Sequence, residues 1–467
     1  MKIGQTSAVY FLSNIGTSVL GFLAMLYLTH NLAEDLLASY FLVVAILIWL
    51  NVLFGRTIQR AVSKRLSETG DDGYVGAGLL MQAVVGVVIV FALLAFRGWM
   101  NGYFRAPATV PLVGLVAVTF AFSFVQEVLK GQHDVHIAAL LQPLDRGVRS
   151  ILQITVAVLG LGLSALLVGY GVASFVGVAV GVTYLSVGVY QPTREHVASL
   201  LEFIRYSWLG MLGSRAFASM DTVILGLLIA TSSFITYYEI AWNIASVLGI
   251  FGVALSETLF PEISKLGAEG ENDRIRTLLE DAVAYAGLFL LPGIVGTALI
   301  GSRVLRLYGA SYAKASTVLL VLVFARVVYA YESQFLSALD ALDRPDLAFR
   351  VNGVFVAANL GGNLVLVYRY GWVGAAVATA GSTALALVIS YYYLDSVLGI
   401  GIPYGELGQQ VTAAIAMGTV VYAIETVIDR GSVGTVALVV IGAAVYFAVL
   451  VGISKHFRTT VARNLPV

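Results

Sequence analysis

Charge at the centre of apolar stretches is the most pointed chemical feature of this sequence. Arg149, Arg215 and Arg326 each fall near the middle of a long apolar run, and Arg146 lies one turn from Arg149. A charged side chain at mid-bilayer depth costs about 2.5–3.5 kcal/mol on insertion scales, so it normally meets a partner or a wet cavity. Arg146 and Arg149 are three residues apart and share a helix face, which makes a two-pronged cationic surface. Guanidinium groups present paired N–H donors that match phosphate oxygens, so the chemistry these residues suggest is anion binding.

The polar residues at similar depth are Asp145, Asp221, Glu332, Asn14 and Asn243, with Glu239 and Glu257 nearer the ends of one span. They are candidates for ion coupling or for lining a cavity. Internal pairing competes with the anion-binding reading, because Asp145 stands four residues before Arg149. Arg215 and Asp221 are six apart, as are Arg326 and Glu332, which puts each pair about 240° apart round a helix and prevents a simple bond within it. Tyr237, Tyr238, Trp242 and Tyr329 could stack on sugar rings, or pack as membrane aromatics commonly do.

Other chemistries find little support. No Gly-Lys dipeptide occurs, so there is no loop of the Walker A type to cradle a nucleoside triphosphate. His133 and His136 flank Asp134, yet no further ligand falls at metal-binding spacing, and a solvated loop is the plainer reading. Cysteine is absent, which excludes disulfides and thiol catalysis. No nucleophile–base motif stands out, and neither catalytic residues nor a cofactor is expected. The 27 basic and 27 acidic residues balance, which argues against a nucleic-acid partner.

These residues must be positioned by membrane helices. The chain of 467 residues is 59% hydrophobic and 12% charged, with a mean hydropathy of +0.89. Soluble domains carry roughly twice that share of charge, so the composition predicts a polytopic membrane protein. Runs of about 20 apolar residues predict fourteen transmembrane helices, near 5–29, 36–54, 75–95, 109–127, 137–160, 162–187, 206–230, 235–260, 277–299, 314–338, 349–369, 371–393, 408–427 and 433–451. The longest polar links, 55–74 and 261–276, are read as cytoplasmic connections. Placing the N-terminus in the cytoplasm puts most of the 27 lysines and arginines on the inner side, which orients both termini inward.

The plan of 5–54 recurs from about residue 206, an offset of about 201, and marks an internal duplication. Three parts follow: an N-terminal six-helix lobe over 1–195, a C-terminal six-helix lobe over 196–395, and two added helices with a cytoplasmic tail over 396–467. Six spans per repeat is an even number, so a pseudo-twofold axis along the membrane normal is expected, with a central cleft between lobes.

The segments Asp221-Thr-Val-Ile-Leu-Gly, Tyr237-Tyr238 and Leu259-Phe260-Pro261-Glu262-Ile263-Ser264 resemble the start of the second lobe in polysaccharide flippases of the Wzx type. Leu307-Tyr308-Gly309-Ala310-Ser311-Tyr312 and Gly371-Trp372-Val373-Gly374-Ala375-Ala376 are similar to further phrases of that family, within the multidrug/oligosaccharidyl-lipid/polysaccharide exporter superfamily. The resemblance implies two six-helix bundles, alternating access, and transfer of a lipid-linked oligosaccharide from the inner to the outer leaflet. In related peptidoglycan-precursor flippases the cavity carries several arginines, and the first helix an acidic residue, where this chain offers Asn14.

The expected function is therefore a flippase for a polyprenyl-(pyro)phosphate-linked oligosaccharide. Arg149, Arg215, Arg326 and Arg146 are its expected phosphate ligands, and H+ or Na+ its candidate coupling ions. The expected setting is the plasma membrane, with membrane lipids around a monomer. A cation-coupled multidrug exporter of the same superfamily is the alternative, disfavoured by the excess of mid-span arginine. A glycan polymerase or ligase is less consistent still, because no outer link is long enough for a catalytic loop.

Overall fold

The computed structural model describes residues 3–188, 190–429 and 431–464, excluding the side chains of 3–15, 18, 206–212, 214, 253, 257 and 460–464. Arg430 and the side chains of Asn14 and Glu257 thus lie outside the described residues. Among the described residues all regular structure is helical. The chain divides into two compact units, Met1–Thr236 and Tyr237–Val467.

The first unit opens with α1 (Ile3–Asn31) and α2 (Glu34–Leu50). Glu34 and Asp35 sit in the first turn of α2, where they complement the positive end of the helix. The helix does not stop at Phe54, where its apolar run ends. A turn of π-helix, Asn51–Arg56, carries it directly into α3 (Thr57–Thr69). Gly70, at φ 67°, closes α3 with a left-handed cap, and its N–H bonds the Leu66 carbonyl. The polar link expected over 55–74 is therefore mostly helix, because Ile58, Ala61, Val62 and Leu66 recur at helical spacing and bury. There follow α4 (Gly73–Ala95), the short α5 (Arg97–Phe104), α6 (Thr109–Gly131), α7 (Val135–Val158), α8 (Leu163–Val182) and α9 (Arg194–Leu228). Thr193 and His196 cap the start of α9 reciprocally.

The unit boundary falls inside α10 (Ser232–Leu248). The second unit continues with α11 (Ile250–Glu269), bent by 48° from α10, then α12 (Asn272–Ala286) and α13 (Leu290–Arg306). The link expected over 261–276 is again mostly helical. Next come α14 (Ser316–Ala341), α15 (Pro345–Tyr370) and α16 (Trp372–Leu398), which enclose a core containing Leu279, Phe335, Leu339 and Leu394. Gly371 joins α15 to α16 at φ 62°, and a Cβ on Gly374 would strike the Leu366 carbonyl, so this corner demands both glycines. The side chain of Asn359 on α15 donates to Thr379 and Ser382 on α16, a polar fastening inside an apolar pair. Then α17 (Tyr404–Glu425) and α18 (Ser432–Ile453) pack around Met417, Val421, Leu438 and Tyr446, and α19 (Lys455–Asn464) ends the described chain.

Among the described residues ten helices are long and apolar enough to cross a membrane, and the bent α10–α11 pair would make eleven. Fourteen is not reached on apolarity alone. The apolar runs of α1 and α9 pass through side chains outside the described set, and α7 carries Asp145, Arg146 and Arg149 together. The charge that disqualifies α7 as an ordinary span makes it the centre of the site.

Candidate functional site

A cavity of about 240 Å³ opens in the first unit, lined by four arginines, Arg56, Arg146, Arg149 and Arg215, against a single carboxylate, Asp145. Each comes from a helix placed by apolar packing on its other faces. Ile48, Val52 and Arg56 follow one another at intervals of four along α2 and its π-turn, so the face that lines the cavity ends in a cation. Thr119, Ser123 and Gln126 are contributed by α6, Gln142, Asp145, Arg146 and Arg149 by α7, Tyr170 and Ser174 by α8, and Arg215 by α9.

The four cations are not equivalent. Arg149 forms an ion pair with Asp145, and Asp145 accepts a second hydrogen bond, 2.8 Å, from Ser174 Oγ. On another side the Arg149 guanidinium lies 3.5 Å from the Tyr170 ring centroid. One turn on, Gln153 donates to the Tyr40 hydroxyl at 2.7 Å and ties α7 to α2. Arg149 is thus oriented on two sides, by Asp145 and by Tyr170. Arg146 is exposed to the cavity and makes no ion pair among the described residues. Arg56, half-buried, likewise makes no hydrogen bond or ion pair among the described residues. Guanidinium groups gathered in one recess can take an anion such as a phosphate, whose oxygens accept from their paired N–H donors.

The structure brings together Arg146, Arg149, Asp145 and Arg215 from the residues singled out in sequence. Asp221 is buried further along α9. Arg326 belongs to α14 of the second unit, where it donates to Ser246 and lies 4.2 Å from the Trp242 ring centroid. Glu332, two turns on, is buried at 4% exposure. On α10, Asn243 is exposed and donates to the Glu239 carbonyl. Tyr237 is buried edge-on against Tyr312, and Tyr238 is buried at 1% exposure, while Tyr329 is half-buried. Arg56 was missed from sequence because the apolar run ends before it. The interval of four from Val52 was the signal that could have found it.

The chain's residues 68–317 match the model of a family described as polysaccharide biosynthesis protein. It is 30% identical to the probable flippase AglR of Haloferax volcanii over 475 residues, covering 99% of this chain and 98% of that protein. It is 26% identical to the probable low-salt glycan biosynthesis flippase Agl15 of the same organism, covering 100% and 99%. Among solved structures it resembles the lipid II flippase MurJ in an inward closed conformation, with a TM-score of 0.82, 14% identity, and coverage of 95% of this chain and 98% of that one. A family match over more than half the chain and a full-length relative at that identity agree, on a shared all-helical membrane fold: this multi-pass membrane protein is a transporter rather than an enzyme, and it belongs to the polysaccharide flippase family.

Proposed function

We propose that this protein flips a polyprenyl-(pyro)phosphate-linked oligosaccharide from the cytoplasmic to the outer leaflet of the plasma membrane by alternating access, with both termini cytoplasmic. The observation that carries the reading is the cavity in which Arg56, Arg146, Arg149 and Arg215 face one carboxylate. A phosphate-linked glycan head cannot cross about 30 Å of hydrocarbon unaided, because its charge and hydroxyls lose water without replacement. Guanidinium groups in a wet recess replace that hydration while the lipid tail stays in the bilayer.

Within this reading Arg146, Arg56 and Arg215 bind the phosphate, and Arg149 holds the shape of the recess through Asp145 and Tyr170. Arg326, on the second unit, is a further cationic position for the phosphate. Asp221 and Glu332, both buried, are the groups through which H+ or Na+ coupling would act, and Tyr329 is the aromatic best exposed for a sugar ring. The lobes divide at 195/196 and 395/396, with α17 and α18 outside the repeat.

The test is reconstitution. Vesicles holding the purified protein receive a fluorescent lipid-linked oligosaccharide in one leaflet, and its arrival in the other is read by quenching. Protein-dependent transfer lost in an Arg146→Gln, Arg215→Gln double variant supports the assignment. Transfer at the wild-type rate by a well-folded double variant overturns it.

A further inference from the structure

We infer that an apolar groove on the first unit holds the isoprenoid chain of the lipid-linked substrate, next to the recess that takes its phosphate. The inference rests on the flippase reading above. The groove has a volume of about 650 Å³, within the range of ligand pockets, and is lined almost entirely by apolar side chains. Ile89, Leu93 and Met100, all buried, form its floor. Phe54, Phe96 and Trp99, all exposed, stand along its walls. It is thus a shaped recess rather than a flat lipid-facing surface.

Its position decides the occupant. Leu50 and Phe54, four residues apart, line the groove, whereas Asn51, Val52 and Arg56 of the same segment line the arginine cavity. The π-turn Asn51–Arg56 is therefore two-faced, with carbon on one side and cation on the adjoining side. A helix with side chains is about 10 Å across, so one amphiphile could reach both faces round it. The ligand that satisfies both is an anionic head joined directly to a long apolar chain. A methyl-branched isoprenoid is thicker and stiffer than an acyl chain, which suits a wide groove walled by aromatic rings. π-Turns inside helices are frequent at functional sites, and this one separates the two halves of a single ligand.

The experiment uses the full-length protein in phosphatidylglycerol vesicles and two photoactivatable probes. One is a polyprenyl phosphate with a diazirine on its isoprenoid chain; the other is phosphatidylglycerol with a diazirine on an acyl chain. The isoprenoid probe should label the peptide spanning 84–100, and unlabelled polyprenyl phosphate should reduce that labelling at least fivefold. Ala92→Phe and Val88→Trp, which fill the groove from its exposed rim, should each reduce it as much while labelling elsewhere and membrane abundance stay unchanged. Labelling of 84–100 by the acyl probe to the same extent, without competition by polyprenyl phosphate, would make the groove ordinary lipid surface and overturn the inference. Labelling by the isoprenoid probe only at other peptides would also overturn it, while leaving the flippase reading intact. Absence of competed labelling anywhere would remove both.

Discussion

The guanidinium of Arg149 lies over the ring of Tyr170, 3.5 Å from its centroid, while the same side chain is ion-paired with Asp145. A cation–π contact at a partly exposed site is worth about 1 kcal/mol, and the ion pair adds to it. Arg146, one turn away on the same helix, has neither. Two arginines three residues apart should therefore respond differently to one substitution.

Arg149→Gln would strand the Asp145 carboxylate, which is buried at 3% exposure. Breaking a buried pair by removing one partner costs about 3–5 kcal/mol. Membrane abundance of this variant should fall severalfold, and adding Asp145→Asn should restore most of it. Arg146→Gln should leave abundance unchanged and lower export. Quantitative immunoblots of membranes beside a glycan-export assay measure both, and full abundance of Arg149→Gln alone would remove the structural role given to that residue.

Arg56 provides the sharpest check on the cavity, since it was reached from the structure rather than the sequence. Arg56→Gln should keep abundance within about twofold and reduce export at least tenfold, which corresponds to about 1.4 kcal/mol. Arg56→Lys should fall between, because the charge survives while the two-pronged donor is lost. Wild-type export from Arg56→Gln would take Arg56 out of the binding site.

The helical membrane architecture was legible in the sequence because bilayer thickness imposes apolar runs of a set length. Helix ends were less legible: α2 continues past Phe54, since polar Thr57 and Gln59 bury against neighbours rather than ending the span. Gln59 donates to Gln82 and to the Phe120 carbonyl, contacts across the fold that no local pattern announces. The pairing of Asp145 with Arg149 could be read from their spacing, whereas Tyr170 over Arg149 and Ser174 on Asp145 depend on how α7 meets α8. Arg303 shows the same limit. It is buried and donates to the carbonyls of Glu425 and Asp429, more than a hundred residues away in the sequence.

That contact gives a stability prediction. Arg303 satisfies carbonyls that α17 leaves open at its C-terminus, and hydrogen bonds to a charged donor contribute about 1.5–3 kcal/mol. Arg303→Met should lower the Tm of the detergent-solubilised protein, and Arg303→Lys should recover part of the loss. An unchanged Tm for Arg303→Met would show that water replaces the cap at no cost.

A pH effect is expected where α9 begins. Asp71 accepts hydrogen bonds from the Gly73 N–H at 2.8 Å and from the ring of His196 at 3.0 Å, and these hold its carboxyl below the usual carboxylate range. A depressed value in the folded state means that the contribution is fully present above the unfolded pKa, about 4, and is lost as pH falls through the lower folded value. The wild-type protein should therefore have a higher Tm than Asp71→Asn near neutrality, and the difference should shrink below about pH 4. A difference independent of pH would show that the amide breaks the clasp by shape rather than by charge.

Orientation can be tested with the chain as it stands, because it contains no cysteine and each introduced one reports alone. The proposed orientation, with the excess of lysine and arginine facing the cytoplasm, puts the turn after α9 outside and the end of α11 inside. Thr231 and Glu269 are both exposed in those two places, and neither carries a side-chain bond among the described residues. In intact cells a membrane-impermeant maleimide should label Thr231→Cys and spare Glu269→Cys, and permeabilised cells should show both labelled. The proposed direction of transport depends on this result, since the links carrying Lys64, Lys265 and Arg344 must face the compartment where the glycan is assembled. Labelling of Glu269→Cys and not Thr231→Cys in intact cells would invert the topology and with it the leaflet from which the substrate enters.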